Sequence, residues 1–268
     1  MTPDAPVPKG PLAVRWLRHE LGEVRAGAPA AAVVEVENAG TATWRSGHLS
    51  GIHASYHWLD ERGNPIVWDA LRTAFPEPVP PGGRARLELR LRGPTPPGPY
   101  VLALDLVDEG RCWFAEVGNH SPRLAVEVAP RVRRALAARG GDPEALAAQE
   151  EPLVPEEEAD AVAHLADGCA PAPDWSRRVL DAHQQGYGVV GGSVEPVVGL
   201  LRRKPHALAP YAPGSGRLPA FAHPLLCPSV VKGVEPEWQE PVEGLPAAHA
   251  PQDEPWVYDG RIALRLRR

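Results

Sequence analysis

The sequence predicts an all-β sandwich in its first half and a small, proline-rich α/β region in its second. Three observations carry this. Apolar and polar residues alternate with period two through most of Leu12 to Ala129, the pattern of half-buried strands. The 268 residues include 33 prolines and 26 glycines; proline blocks helix interiors, so long bundles and coiled coils are excluded. Hydrophobic residues make up 43% of the chain, enough to bury a core, which excludes wholesale disorder.

The strands follow in order. Ala13–Arg18, Ala32–Glu37 and Ile52–Leu59 are the first three candidates. Leu87, Leu89 and Leu91 then alternate with Arg86, Glu88, Arg90 and Arg92, one face apolar and the other charged. Leu102, Leu104 and Leu106 repeat that alternation, and Cys112–Val117 and Leu124–Val128 complete the set. Turn signals separate them: Asn38-Ala39-Gly40, Glu61 to Pro65, Pro80 to Gly83 and Pro96-Pro97-Gly98. About seven short strands at this spacing predict an immunoglobulin-like sandwich.

Trp16, Trp44, Trp58, Trp68 and Trp113 all lie in this half. Core and edge packing is one reading, because an indole buries a large area and needs one hydrogen-bond partner. A stacking platform for a sugar or peptide is the other. Tyr56 and Trp58 share a face by alternation, and that face, if exposed, is the candidate binding surface.

Asn38-Ala39-Gly40-Thr41-Ala42-Thr43-Trp44, then Tyr56-His57-Trp58-Leu59, Pro97-Gly98-Pro99-Tyr100 and Trp113-Phe114 form a recognisable series. It resembles the four-tryptophan immunoglobulin-like domain of autophagy cargo receptors and many bacterial multidomain proteins. The resemblance covers about half the chain and implies a protein- or ligand-interaction module without enzymatic activity.

Residues 131–159 read as a linker between a domain at 1–130 and a region at 160–268. Arg131–Ala138 is basic and helix-compatible. Asp142 before Pro143 is a helix start, predicting a short helix to about Gln149. The acidic run Glu150 to Glu158, broken by Pro152 and Pro155, reads as solvated surface.

Ala161–Ala166 reads as a buried strand, followed by a turn at Asp167-Gly168-Cys169. Asp174 is placed to cap a helix that starts at Trp175, with Trp175, Val179 and Ala182 at helical spacing. Tyr187–Val190 is a second strand that ends in Gly191-Gly192. A β-turn-α-β unit favours parallel strands with a right-handed crossover.

This unit, from Leu165 to Gly192, resembles the acidic-turn segment of inverting GT-A glycosyltransferases. In that family the acidic turn binds the metal bridging a nucleotide diphosphate. The resemblance implies Asp167 as a metal ligand and Mn²⁺ or Mg²⁺ with a nucleotide-sugar as cofactors. Ala166 and Cys169 cannot supply the second hard oxygen. Only Arg131 to Asp160 precedes the turn, too few residues for the nucleotide-binding half of the sheet. The unit therefore reads as a truncated, degenerate remnant with no catalytic residue assigned.

The last third is proline-rich and weakly periodic. Leu208–Arg217 reads as an ordered loop, Pro224–Val231 as a short strand or turn, and Trp256 to Leu266 as a final hairpin. His183, His206, His223 and His249 lack metal-ligand spacing, and Glu240 and Glu243 sit in proline-rich surroundings without a supporting pattern for a general base. The thiols of Cys112 and Cys227 are flanked by apolar residues and read as packing.

The formal charge is −6 and no basic block stands out, which argues against a nucleic-acid partner. The cysteines Cys112, Cys169 and Cys227 are odd in number and far apart, so neither a disulfide framework nor a zinc site is expected. No signal peptide or membrane span is apparent, and a bacterial cytoplasmic protein is expected. The expected function is a non-catalytic interaction or scaffold protein linked to glycan or cell-envelope polysaccharide synthesis. Its partner would be a glycan, a protein or a glycan-synthesis enzyme, with no cofactor. The alternative is an active, metal-dependent glycosyltransferase of shortened type.

Overall fold

The structure, a computed structural model, describes residues 7–48, 50–197, 211–215, 224–242 and 244–267. His206, His223 and Glu243 lie outside the described residues, as does half of Leu208–Arg217. The chain is predominantly β, with several sheets. It divides into two compact units, Met1–Ala129 and Pro130–Arg268. Among the described residues no helix is long and apolar enough to cross a membrane.

The first unit contains β1 (Val14–Leu21), β2 (Pro29–Asn38), β3 (Ile52–Leu59), β4 (Pro65–Val67), β5 (Thr73–Ala74), β6 (Arg84–Arg92), β7 (Gly98–Asp108), β8 (Cys112–Trp113) and β9 (Arg123–Val128). One sheet has the order β1-β2-β6. The second runs β4-β3-β7, with β8 and β9 pairing along β7 and β5 along β3. Their facing residues form one core. Val34, Val36, Leu89 and Leu91 come from the first sheet, and Tyr56, Trp58, Leu102 and Leu104 from the second. The alternation therefore does what the pattern predicts: leucines of β6 point inward while Arg86, Glu88 and Arg90 stay in water.

The turn after β2 explains its own sequence. Asn38 is fully buried, and its amide donates to Ala42 O and Val79 O, both at 2.8 Å. Its Oδ1 accepts from Gly40 N at 3.0 Å. A Cβ on Gly40 would lie 2.3 Å from Pro11 O, so only glycine fits there. Trp44, fully buried, then pairs its backbone with Val79 and packs on Phe75 and Phe114.

One strand expectation is corrected. Cys112–Val117 is a strand only at β8; Ala115–Val117 is a 3-10 turn. Phe114 drives the change, because its fully buried ring turns into the core against Trp44.

The second unit contains β10 (Leu136–Arg139), α1 (Pro143–Ala147), β11 (Ala161–His164), β12 (Cys169–Pro171), α2 (Trp175–Gln184), β13 (Val189–Val197), β14 (Tyr211–Ser215), β15 (Leu225–Leu226), β16 (Ser229–Val231), β17 (Glu237–Val242), β18 (Leu245–His249) and β19 (Pro255–Arg267). A mixed sheet has the order β10-β11-β16-β13-β19-β12, with β14 also on β19. A separate sheet has the order β15-β18-β17. Trp175, Val179 and Leu180 of α2 join the apolar core of this unit.

Several expectations are corrected here. The stretch 131–159 is no free linker: β10 pairs in parallel with β11 along Leu136–Arg139, and Leu136 is fully buried. The helix-compatible Arg131–Ala138 therefore ends in a strand, because sheet pairing outweighs local propensity. The acidic run that follows is held by arginines: Glu150 by Arg177, Glu151 by Arg134 and Glu156 by Arg139. Asp174 precedes α2 but makes no side-chain cap; Arg178 takes its carboxylate at 2.6 Å instead.

Strands β11 and β13 both run antiparallel to β16, so they are parallel to each other with β16 between them. The final hairpin is instead one strand, β19, paired in parallel with β13. The register skips between Gly192 and Ser193, and Gly260 falls inside that bulge rather than at a turn.

Candidate functional site

All eight residues of β3 are buried, which requires cover on both faces of the strand. The inner face holds Tyr56 and Trp58. The Trp58 Nε1 donates to Arg92 O at 2.8 Å, and the Tyr56 hydroxyl accepts from Arg92 N at 2.8 Å. Their rings meet edge to face with centroids 6.1 Å apart. The aromatic face expected as a binding surface is therefore core: both side chains serve the sandwich and tie β3 to β6.

The outer face carries a different set. His53, Ser55 and His57 project there by alternation, and Asp105 lies opposite Ser55 on β7. The segment between β4 and β5 folds over them and brings Trp68, Asp69 and Arg72. Trp113 arrives from β8.

His57 sits at the centre. Its Nδ1 donates to Trp68 O, which fixes the proton on that nitrogen. Its ring stacks on the Trp68 indole at 4.0 Å between centroids and 18° between planes. Trp113 meets it edge-on at 4.3 Å. The Nε2 lies 3.6 Å from Asp105 Oδ2, beyond hydrogen-bond length.

Asp105 is buried, and burial raises its carboxyl pKa against the lowering pull of His57 and backbone amides. Leu106 N donates to its Oδ1 at 2.8 Å, and Ala115 N at 3.2 Å.

Arg72 frames the other side. It donates to Glu109 Oε1 at 2.7 Å, to Ala70 O at 2.7 Å and to Asp69, and its guanidinium lies 4.7 Å above the Trp113 ring. This cation–π contact and the ion pairs fix the loop that carries Trp68.

Trp68 itself is 46% exposed although one face is covered by His57. The result is an indole backed by His57 and open in front, followed in the chain by Asp69, which pairs with Arg72, itself bonded to Glu109. Such a platform can stack a flat apolar ligand surface and offer charged partners to hydroxyls or amides around it.

In the second unit, Asp167 lies in an exposed turn after β11. Among the described residues, no group of three or more His, Cys, Asp or Glu is assembled to hold a metal. A cleft of about 330 Å³ between α2 and β19 is lined by Arg177, Arg178, Asp181, Tyr187, Asp259 and Arg261, and Asp167 is not part of it. Among the described residues Asp167 is thus part of no carboxylate trio, and it lies outside the cleft between α2 and β19.

His183 of α2 is fully buried. Its Nδ1 is 2.7 Å from Tyr187 O and its Nε2 is 2.9 Å from the Ser229 hydroxyl. Burial lowers its pKa to about 4. With Ser229 equally buried, this pair joins α2 to β16 and reaches no solvent. His249 is likewise buried. Cys227 and Cys169 are buried, and a hydrogen bond between their thiols together with burial raises the Cys227 thiol.

Sequence reasoning singled out the Tyr56–Trp58 face of β3 on the condition that it is exposed, and that face is buried. His53, Ser55 and His57 alternate with Ala54, Tyr56 and Trp58, so the polar face was readable. Which face turned outward was not, because both faces carry aromatic or polar residues that pack. The contribution of Trp68, Arg72, Asp105 and Trp113 depends on folding of a loop and two other strands.

No protein-family model matches the chain, and no curated protein matches it.

Proposed function

We propose that the chain is a non-catalytic interaction protein whose first unit is an immunoglobulin-like module that binds a glycan on the Trp68 platform. The half-exposed indole of Trp68, stacked on His57 and followed by Asp69, which pairs with Arg72, is the observation that carries this reading. The apolar C–H face of a pyranose packs on an indole, and its hydroxyls find Asp69, Arg72 and Glu109 at the rim.

Two features support the immunoglobulin-like assignment. The sheet orders, β1-β2-β6 facing β4-β3-β7-β9, match a sandwich whose chain crosses between the sheets after β2, β5 and β6. The Tyr100 hydroxyl donates to Pro96 O at 2.8 Å, the arrangement of a tyrosine corner near the start of a strand. Both features fit an immunoglobulin-like module in general. A role beside glycan-synthesis enzymes is part of the same proposal and rests on the sequence resemblance around Asp167. The glycosyltransferase alternative gains no support from the surroundings of Asp167.

The test is calorimetric titration of the full chain with neutral oligosaccharides built from glucose, N-acetylglucosamine or mannose. Binding of at least one series is expected. Trp68→Ala should weaken it at least tenfold, about 1.4 kcal/mol, with little change in melting temperature. Absence of binding by every series, or equal binding by the variant, refutes the platform.

A further inference from the structure

The two edge strands β1 and β9 flank a slot in the side of the first unit, and its hydrogen-bonding groups are unevenly used. Among the described residues, strand β1 pairs only with β2, and β9 only with β7. The slot is closed at both ends. At one end Asn119 bridges to β1: Val14 N donates to Asn119 Oδ1 at 2.8 Å, and Asn119 Nδ2 donates to Leu12 O at 3.0 Å. At the other end Ala26 N donates to Ala129 O and Ala129 N donates to Val24 O, both at 2.9 Å. No strand pairs with either edge between these bridges among the described residues.

Alternation gives the direction of the β9 backbone groups. Leu104 N donates to Pro122 O, so even-numbered residues of this segment point their backbone toward β7. Ala129, odd-numbered, bonds instead to Val24 and Ala26. The N–H and C=O groups of Arg123, Ala125 and Glu127 therefore face away from β7, along the free edge. Beside that edge lies a cleft of about 780 Å³ lined by Trp16, His19, Asn119, His120, Ser121 and Arg123 among others, and none of its lining residues is a carboxylate. The Trp16 side chain is more than nine-tenths buried, and its Nε1 has no hydrogen-bond partner; the Nδ1 of His19 also has none.

We infer that the free edge of β9 accepts an extended peptide as an added strand, with an Asp or Glu side chain of that peptide in the cleft beside Trp16 and His19. Three odd-numbered residues of β9 supply main-chain donors and acceptors at alternate positions, which is the pattern that strand addition uses for affinity. Unpaired edges are otherwise a liability that proteins cover. An occupant with carboxylates is chosen by the lining of the cleft, which holds two histidines and Arg123 and no competing acid. The occupant is a peptide because the edge presents backbone groups at the strand repeat. The site is separate from the Trp68 platform and stands without it.

The test uses the full chain and a capped Asp-Val-Asp-Val-Asp pentapeptide, with the Lys-Val-Lys-Val-Lys counterpart and an oligogalacturonate as comparisons. Binding is read by calorimetry, and slowed amide exchange at Arg123, Ala125 and Glu127 by NMR. The acidic pentapeptide should bind and protect those three amides. Ala125→Pro removes one edge N–H at an exposed position whose N–H does not serve the β7 ladder, a place where an edge strand tolerates proline. It should weaken peptide binding at least tenfold and leave oligosaccharide binding at Trp68 unchanged. His19→Ala, in a half-buried position, should weaken the acidic peptide severalfold. Absence of peptide binding overturns the inference. So does equal binding by Ala125→Pro, equal binding of the lysine peptide, or binding of the oligogalacturonate alone.

Discussion

Acid should loosen the second unit through one residue, His183. In the fold its imidazole is fully buried and neutral: Nδ1 donates to Tyr187 O and Nε2 accepts from the Ser229 hydroxyl. Burial first, and the nearby Arg131 charge, lower its pKa from 6.5 to about 4, against the raising pull of the Tyr187 carbonyl. In the unfolded chain the ring titrates near 6.5. The folded state thus prefers the neutral ring. The stabilisation is full above pH 6.5 and is lost as the pH falls through the interval from 6.5 to about 4. At about 1.4 kcal/mol per tenfold difference in proton affinity, the loss reaches about 3 kcal/mol at pH 4.

Chemical denaturation at pH 7 and pH 4 measures it, with His183→Gln as the reference. Glutamine can donate to one partner and accept from the other but does not titrate. Wild type should lose about 3 kcal/mol more than the variant across that interval. Carboxylates elsewhere in the chain affect both proteins alike and cancel. Equal losses in the two proteins would refute the reasoning, because they would mean that the ring gains no charge-dependent penalty from its site.

The remaining predictions concern the first unit. Trp58→Ala removes a fully buried indole and its bond to Arg92 O. It should cost about 3–5 kcal/mol in a denaturant melt, and a variant that stays as stable as wild type but loses a ligand would return this residue to the binding surface. Gly40→Ala puts a methyl 2.3 Å from Pro11 O and must push the strand start away. A loss of about 1–3 kcal/mol is expected, read from the same melt.

Several elements were legible for a simple physical reason. Strand β3 was read with its observed ends, and the leucines of β6 point inward as their alternation requires. A sheet with one face in water writes its orientation into every second residue. The Asn38-x-Gly40-x-x-x-Trp44 series was legible too, because each of its members answers a local demand. Asn38 bonds the turn, Gly40 clears Pro11, and Trp44 fills the core. The misread elements have the opposite character. Residues Leu136–Arg139 form a strand only because β11 lies alongside. Asp259-Gly260, a plausible turn, stays in strand β19 because β13 pairs along it.

The sequence by itself determined the sandwich, the helix that begins at Trp175, and the dominance of short strands with turns at proline and glycine. Those features follow from spacing a few residues apart. The tertiary structure alone decided which face of β3 is core, that Trp68 is backed by His57 and open to water, and that Asp167 lies outside the cleft between α2 and β19. Each of those depends on segments far apart in the chain meeting at one point. Side-chain alternation specifies two faces for a strand, and only the packing of the other strands and loops says which one meets water.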